Sequence, residues 1–344
     1  MRRSFGYNPC RVTRTHSRLT VPILITGSSG FVGQHLIAAL RHSQPHDTLI
    51  GTMHQSTVTS TDEHIRYVRI DLCETDAVKA LLDAIHPTVI YHLAGQSSPA
   101  YSFEAPWETL ETNIHSQFNI LQGCYELGLA PRILVVTSAE IYGMVQPHEL
   151  PITEDTPLRP ASPYSLSKIT QDMMGWQYYL CHQLPIIRAR AFNHPGPGQS
   201  ERFVITAFAM QIARIEAGLQ EPVIRVGNLT AQRDFTDVRD VVRAYRLLIE
   251  RGQVGDAYNI ASNQAFSIAE VLERLLSYAT TAIRTEVDPL RLRPTDIPCI
   301  QGSYEKLNAV TGWEPQIPFA DTLRAILEDC RQRVQHDIRR SETL

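Results

Sequence analysis

The sequence predicts an α/β protein built on a doubly wound parallel sheet, with a smaller α/β lid over one edge. Three observations carry that expectation. From Val21 to Arg190, short apolar runs alternate with amphipathic helical stretches, the pattern of βαβ units. The apolar runs show no polar alternation, as expected of strands buried on both faces. After Arg190 the regularity gives way to "NHPGPGQ", a Gly- and Pro-rich loop.

The elements follow in order. Val21–Thr26 reads as a strand, Phe31–Arg41 as a helix, and Thr48–Thr52 and Arg66–Ile70 as strands. Glu74–Ile85 is a helix with Leu81, Leu82 and Ile85 on one face. Val89–Leu93 is a strand, Pro106–Leu127 a long helix, Arg132–Ser138 a strand, Pro163–His182 a helix and Pro185–Arg190 a strand. The second half reads as helix Phe203–Ala217, strand Val223–Val226, helix Val238–Glu250, helix Ile268–Tyr278, a strand near Ile283–Val287 and helix Phe319–Val334.

Bulk properties narrow the classes. A chain of 344 residues suits one large domain plus a smaller one. The net charge of −4 gives no basic field for nucleic acid. No apolar run approaches the ~18–20 residues that cross a bilayer. Six cysteines, at 10, 73, 124, 181, 299 and 330, lack any CxxC or metal-ligand spacing. They read as reduced thiols of a cytoplasmic protein that holds no metal. Residues 1–20 carry Arg2, Arg3, Arg11, Arg14 and Arg18 and no acid. With no apolar core this is no secretory signal, and it reads as a disordered basic extension.

"ILITGSSGFVG" places Gly27, Gly30 and Gly33 between the first strand and the first helix. A loop there must turn tightly, expose backbone N–H groups, and add the positive end of the helix, which is what a pyrophosphate needs. The expected cradle is Gly27, Ser29, Gly30, Phe31, Val32 and Gly33, and the large domain is then Rossmann-like. At the end of the second strand an acid favours NAD(H) and an Arg favours NADP(H). "IGTMHQS" has neither, and His54 stands about where such an Arg would. With no carboxylate to repel a 2′-phosphate, the reading leans to NADP(H) and leaves NAD(H) open. Asp71 and Leu72 are placed to flank the adenine. In "HLAGQSS", Leu93, Ala94 and Gly95 run toward the nicotinamide, and Ser97 and Ser98 toward substrate. The dinucleotide-binding domain is therefore 21–190 with 238–262 and about 296–303. The substrate-binding domain is 191–237, 263–295 and 304–335.

"PYSLSK" sets Tyr164 and Lys168 four apart, on one helix face. A free phenol, with pKa ~10, is a poor acid–base group at neutrality, and a nearby ammonium lowers that pKa. Tyr164 can then protonate a carbonyl oxygen as hydride reaches carbon. Lys168 can also bond the cofactor ribose, and Ser138, ending "VVTS", can hold the carbonyl oxygen. Y-x3-K alone is usually solvated surface. After a glycine loop and a strand-end Ser it points to chemistry. Asn113, inside a helix where Asn is unfavourable, should bond backbone beside this site. Arg239 and Arg243 read as ion-paired helix surface and Arg291 as solvated charge, while His194 is either an active-site group or a packed histidine.

These motifs resemble the extended short-chain dehydrogenase/reductase family, the NAD-dependent epimerase/dehydratases, from Val21 to about residue 335. "RAFNHPGPGQS", "VGNLTAQRDFTDVRDV", "LRLRPTDIP" and "TGWEP" are most similar to GDP-6-deoxy-4-keto-D-mannose reductases, with GDP-mannose 4,6-dehydratases as relatives. The resemblance implies catalytic roles for Ser138, Tyr164 and Lys168. It implies a nucleotide-sugar substrate, GDP-linked, held by Ser97, Ser98, Asn193, Gln199, Val226, Asn228, Arg233 and Arg293. Family dehydratases use a Glu two residues after the catalytic hydroxyl as a base, which marks Glu140. The reductases keep an acid there too, so Glu140 does not decide. "GTMHQS" lacks the Arg residues of the dehydratases, which counts against that activity. Arg233 is expected in a loop. The resemblance also implies a homodimer pairing the long helix with the Tyr164 helix through Ile114, Phe118, Leu121, Met174 and Tyr178.

Overall fold

A computed structural model describes residues 21–54, 65–291 and 297–342. The expected disorder of residues 1–20 and the assignment of Arg293 lie outside the described residues. The first half of the chain forms β1 (Pro22–Thr26), α1 (Phe31–Ser43), β2 (Thr48–Met53), β3 (Ile65–Arg69), α2 (Thr75–Ile85), β4 (Val89–His92), α3 (Pro99–Glu104), α4 (Pro106–Glu126), β5 (Arg132–Ser138), α5 (Pro163–His182) and β6 (Ile186–Ala191). The second half adds α6 (Val204–Glu216), β7 (Val223–Val226), β8 (Gln232–Asp234), α7 (Val238–Arg251), β9 (Ala257–Ile260), β10 (Ala265–Ser267), α8 (Ile268–Ser277), β11 (Arg284–Val287), β12 (Cys299–Ile300), α9 (Glu305–Thr311) and α10 (Phe319–Glu342).

Seven strands make one sheet in the order β3-β2-β1-β4-β5-β6-β9, every pair parallel. Successive residues of a strand point to opposite faces, and β1 shows the result. Ile23 and Ile25 enter the core shared with Leu36, Leu40, Val241 and Tyr245 of α1 and α7. Leu24 enters the core shared with Leu82, Ile120 and Tyr178 of α2, α4 and α5. Strand order reverses between β1 and β4, and such a switch point opens a crevice at the carboxyl ends of the strands.

The remaining chain packs over that edge. α6, α8 and α10 enclose β7 in a separate core of Ile205, Phe208, Val226, Leu272 and Leu327. β7 pairs with β11, and β8 lies between β10 and β12. Segment 304–335, assigned to the smaller unit from sequence, divides differently. Leu307 and Trp313 are fully buried in the core of the large sheet, and the Trp313 indole donates to Asp240 O at 3.0 Å. Residues 232–234 form a strand, with Arg233 paired to Phe266 and Ile300, so the loop expected there is corrected. No helix among the described residues is long and apolar enough to cross a membrane.

Candidate active site

β1 delivers the glycine loop to the switch point. Gly27 has φ +67°, and a Cβ there would lie 2.9 Å from the Ala94 backbone. A Cβ at Gly33 would lie 2.4 Å from Gly27 O, so α1 approaches the loop as only glycine allows. α1 starts at Gly30 with no side-chain cap. Its first N–H groups therefore remain for an anion. Ser28 ties the loop to β2 by N–H and Oγ bonds to Thr52 O at 3.1 and 2.8 Å. On the other side, Thr26 Oγ1 accepts from Leu93 N and Ala94 N, both at 3.1 Å.

A cleft of about 1000 Å³ runs from this loop to β7 and β8. Gly27, Ser29, Gly30, Phe31, Val32, Gly33, His54, Asp71, Leu72, Leu93, Ala94 and Gly95 line one half. Ser97, Ser98, Ser138, Glu140, Tyr164, Asn193, Gln199, Val226, Asn228 and Arg233 line the rest. His54 Nε2 stands 3.7 Å from Asp71 Oδ2. The bare glycine cradle and the uncapped helix fit a dinucleotide pyrophosphate, and Asp71, Leu72 and His54 line the same half of the cleft.

Ser138 ends β5 and Tyr164 lies in the first turn of α5, which Ser162 caps by accepting from Ser165 N at 3.0 Å. Burial pushes the phenol above its ordinary value, the Ser138 hydrogen bond pulls it down, and the Glu140 carboxylate raises it. Sequence reasoning had Lys168 lowering that pKa. Burial outweighs it: the ammonium is 6.0 Å from the ring centroid, bonds Val136 O at 3.2 Å, and is itself pushed down to about 8 by burial. Lys168 is also the one described candidate set back from the cleft wall.

α5 is fixed from behind. Asp172, one turn beyond Lys168 and fully buried, accepts from Arg188 Nη1 at 2.7 Å and Arg190 Nη2 at 2.8 Å. Arg190 reaches on to Tyr142 OH at 3.0 Å, which donates to Asn259 at 2.7 Å. Asn113 holds the Gln96 backbone from both amide atoms, at 2.7 and 3.1 Å.

Several expected substrate contacts are engaged within the protein. Ser98 caps α3. Gln199 donates to His194 O at 3.3 Å and accepts from Thr206 at 3.4 Å. Asn228 Oδ1 accepts from Thr230. Arg233 Nη1 donates to Ile297 O at 2.7 Å. Arg239 and Arg243 pair with Asp237 and Asp240. Sequence reasoning missed Arg202 and Arg225, whose residues line the cleft. Among the described residues neither guanidinium makes a hydrogen bond or ion pair. The signal for Arg225 was its place in "VIRV", where it takes the exposed side of β7 between buried Ile224 and Val226.

Residues 24–326 match the family described as GDP-mannose 4,6 dehydratase. The chain is 35% identical to GDP-6-deoxy-D-mannose reductase of Pseudomonas aeruginosa, over 93% of this chain and 100% of that protein. It is 28% identical to GDP-mannose 4,6 dehydratase 2 of Arabidopsis thaliana, over 75% of this chain and 70% of that protein. The structure of RMD from Pseudomonas aeruginosa complexed with NADPH superposes with a TM-score of 0.79 at 34% identity, covering 91% of this chain and 100% of that one. With its seven-stranded switch-point sheet and glycine loop, the chain belongs to the GDP-mannose 4,6 dehydratase family of extended short-chain dehydrogenases/reductases.

Proposed function

We propose that this chain reduces the C4 keto group of a GDP-linked 4-keto-6-deoxyhexose, GDP-4-keto-6-deoxy-D-mannose, with NAD(P)H, giving GDP-D-rhamnose or its C4 epimer. One observation carries the proposal. The hydrogen-bonded Ser138 and Tyr164 hydroxyls open into the same cleft as the glycine cradle and the cations Arg202, Arg225 and Arg233. A hydride site and a diphosphate site are thus continuous. A bound reduced nicotinamide supplies hydride. The protein supplies the proton: the phenol, protonated at neutrality as any phenol of pKa ~10 is and held so more firmly by burial, donates to the carbonyl oxygen that Ser138 holds. The Lys168 ammonium behind it steadies the phenolate left after transfer. The arginines take the diphosphate, for which a planar guanidinium is suited. The reading includes a homodimer and a preference for NADPH.

A second reading has support in Glu140, which lines the cleft beside Tyr164 and is placed to take a sugar C–H proton as a 4,6-dehydratase base. Separate incubations, one with NADPH and GDP-4-keto-6-deoxy-D-mannose and one with GDP-mannose and NADP+, test the two. Loss of reduced-cofactor absorbance, stoichiometric with sugar, is expected. Conversion of GDP-mannose to its 4-keto-6-deoxy form without net cofactor change would give the site to the dehydratase.

A further inference from the structure

The loop after β6 is tied to both cores of the molecule. Asn193, Gln199 and Arg202 of this loop line the cleft. Between them, "PGPG" at 195–198 belongs to no helix or strand, and Gly198 has φ +89°. What fixes the segment comes from outside it. From the large core, His35 of α1 donates from Nε2 to Pro197 O at 2.8 Å. A carbonyl oxygen only accepts, so the ring proton sits on Nε2. Phe31, one turn earlier on α1, meets the His35 ring edge-on at 5.2 Å between centroids, and a Cβ at Gly196 would stand 3.4 Å from its ring. From the smaller core, α10 adds two bonds. Asp329 Oδ2 accepts from Gly198 N at 3.0 Å, and Arg333 Nη1 donates to Gln199 O at 3.0 Å.

Three consecutive peptide groups are thus shared out, Pro197 to α1 and Gly198 and Gln199 to α10. α1 is the helix whose uncapped first turn backs the glycine cradle, and His35 stands one turn beyond Phe31, its first residue. A pyrophosphate seated on that first turn steadies the turn that carries His35. The bond from His35 then carries the effect across to the loop, whose residues line the far half of the cleft. We propose that His35 is a positioning residue that couples the two halves of the cleft: through its bond to Pro197 O, NADPH on α1 holds the loop in place for the nucleotide sugar. A loop ordered once for the cofactor is not ordered again for the substrate, so each ligand binds more tightly in the presence of the other. The inference rests on the proposed function, with the cofactor at the glycine cradle and a GDP-linked sugar beyond it.

Two measurements test it. Saturating NADPH should tighten GDP binding about three- to tenfold, the range of one neutral hydrogen bond, and GDP should tighten NADPH binding by the same factor. In His35→Leu each ligand alone should bind as it does to the native protein, and the factor should fall to near one. His35→Gln, whose amide N–H can reach the same carbonyl, should keep part of it. A His35→Leu protein that retains the native factor overturns the proposal, as does a native protein in which the two ligands bind independently. Loss of both separate affinities together with a lower melting temperature also overturns it, and reduces His35 to packing. The second measurement uses no sugar nucleotide. NADPH alone should slow amide hydrogen exchange across residues 196–203 of the native protein and leave that segment of His35→Leu unchanged, and equal slowing in both refutes the coupling. If GDP binds no form of the protein, the proposed substrate fails, while the exchange result still decides the role of His35.

Discussion

Tyr164 and Lys168 are both buried, and burial acts on them in opposite directions, lifting the phenol and lowering the ammonium. Tyr164→Phe keeps the ring and removes the acid. Turnover should fall on the order of 10²-fold or more while NADPH affinity holds, and a variant keeping over half the native rate would deny Tyr164 the proton. Lys168 gives a pH limit. Its charge is lost as pH rises through about 8, so kcat/KM should decline above that point, and a flat profile across it would dismiss the ammonium. Stability moves the other way. Between about 8 and the ordinary 10.5 the unfolded chain holds a proton that the folded one has released, so this group's contribution to stability rises with pH across that window. Arg233→Ala should cost roughly 1.5–3 kcal/mol of GDP binding, about ten- to a hundredfold, and far less of NADPH binding. Arg233 also braces Ile297 O, so the melting temperature is read alongside. Equal, modest losses of both ligands would reduce it to a brace.

The proposed homodimer would form through the helices beside the sheet. Leu166, Met173 and Leu180 repeat every seven residues along α5 and are 40–52% exposed. Trp107, Phe118 and Tyr125 share one face of α4 at 72%, 40% and 49%. Two copies can bury these stripes together. Leu121 and Tyr178, expected on that surface, instead fill this chain's own core and are corrected. Light scattering at micromolar concentration should give a dimer mass, and Phe118→Glu with Met173→Glu should give a monomer. A native monomer would remove the idea. The same scale shows what could be read in advance. β5 and α5 appear with the expected bounds, because long apolar runs and a Ser-Pro helix start are local signals. β8, β9, β10 and β12 span two to four residues and exist through distant partners, as β9 does beside β6. No local pattern announces them. The site was legible where glycine spacing or helical spacing encodes it. Arg202 and Arg225 were not, since a charge in a strand or loop is seen as a cleft cation only when the fold turns its residue into the cleft.

At the scale of the whole molecule the cleft lies between two cores, one under the large sheet and one among α6, α8 and α10. Ligands that bridge them should stabilise both. At a hundred times its Kd a ligand adds about 2.7 kcal/mol. NADPH and GDP together should therefore raise the melting temperature beyond either alone, and no shift with GDP would detach the second core from substrate binding. The path of the chain has its own consequence. α7, β9 and Trp313 complete the large sheet, yet they follow α6, β7 and β8 in sequence. As the polypeptide leaves the ribosome, Leu36 and Leu40 of α1 wait in water for Val241, Tyr245 and Trp313. The core that backs the glycine cradle therefore closes only once the chain has extended through Trp313, so a fragment ending before α7 should not hold the cradle in place.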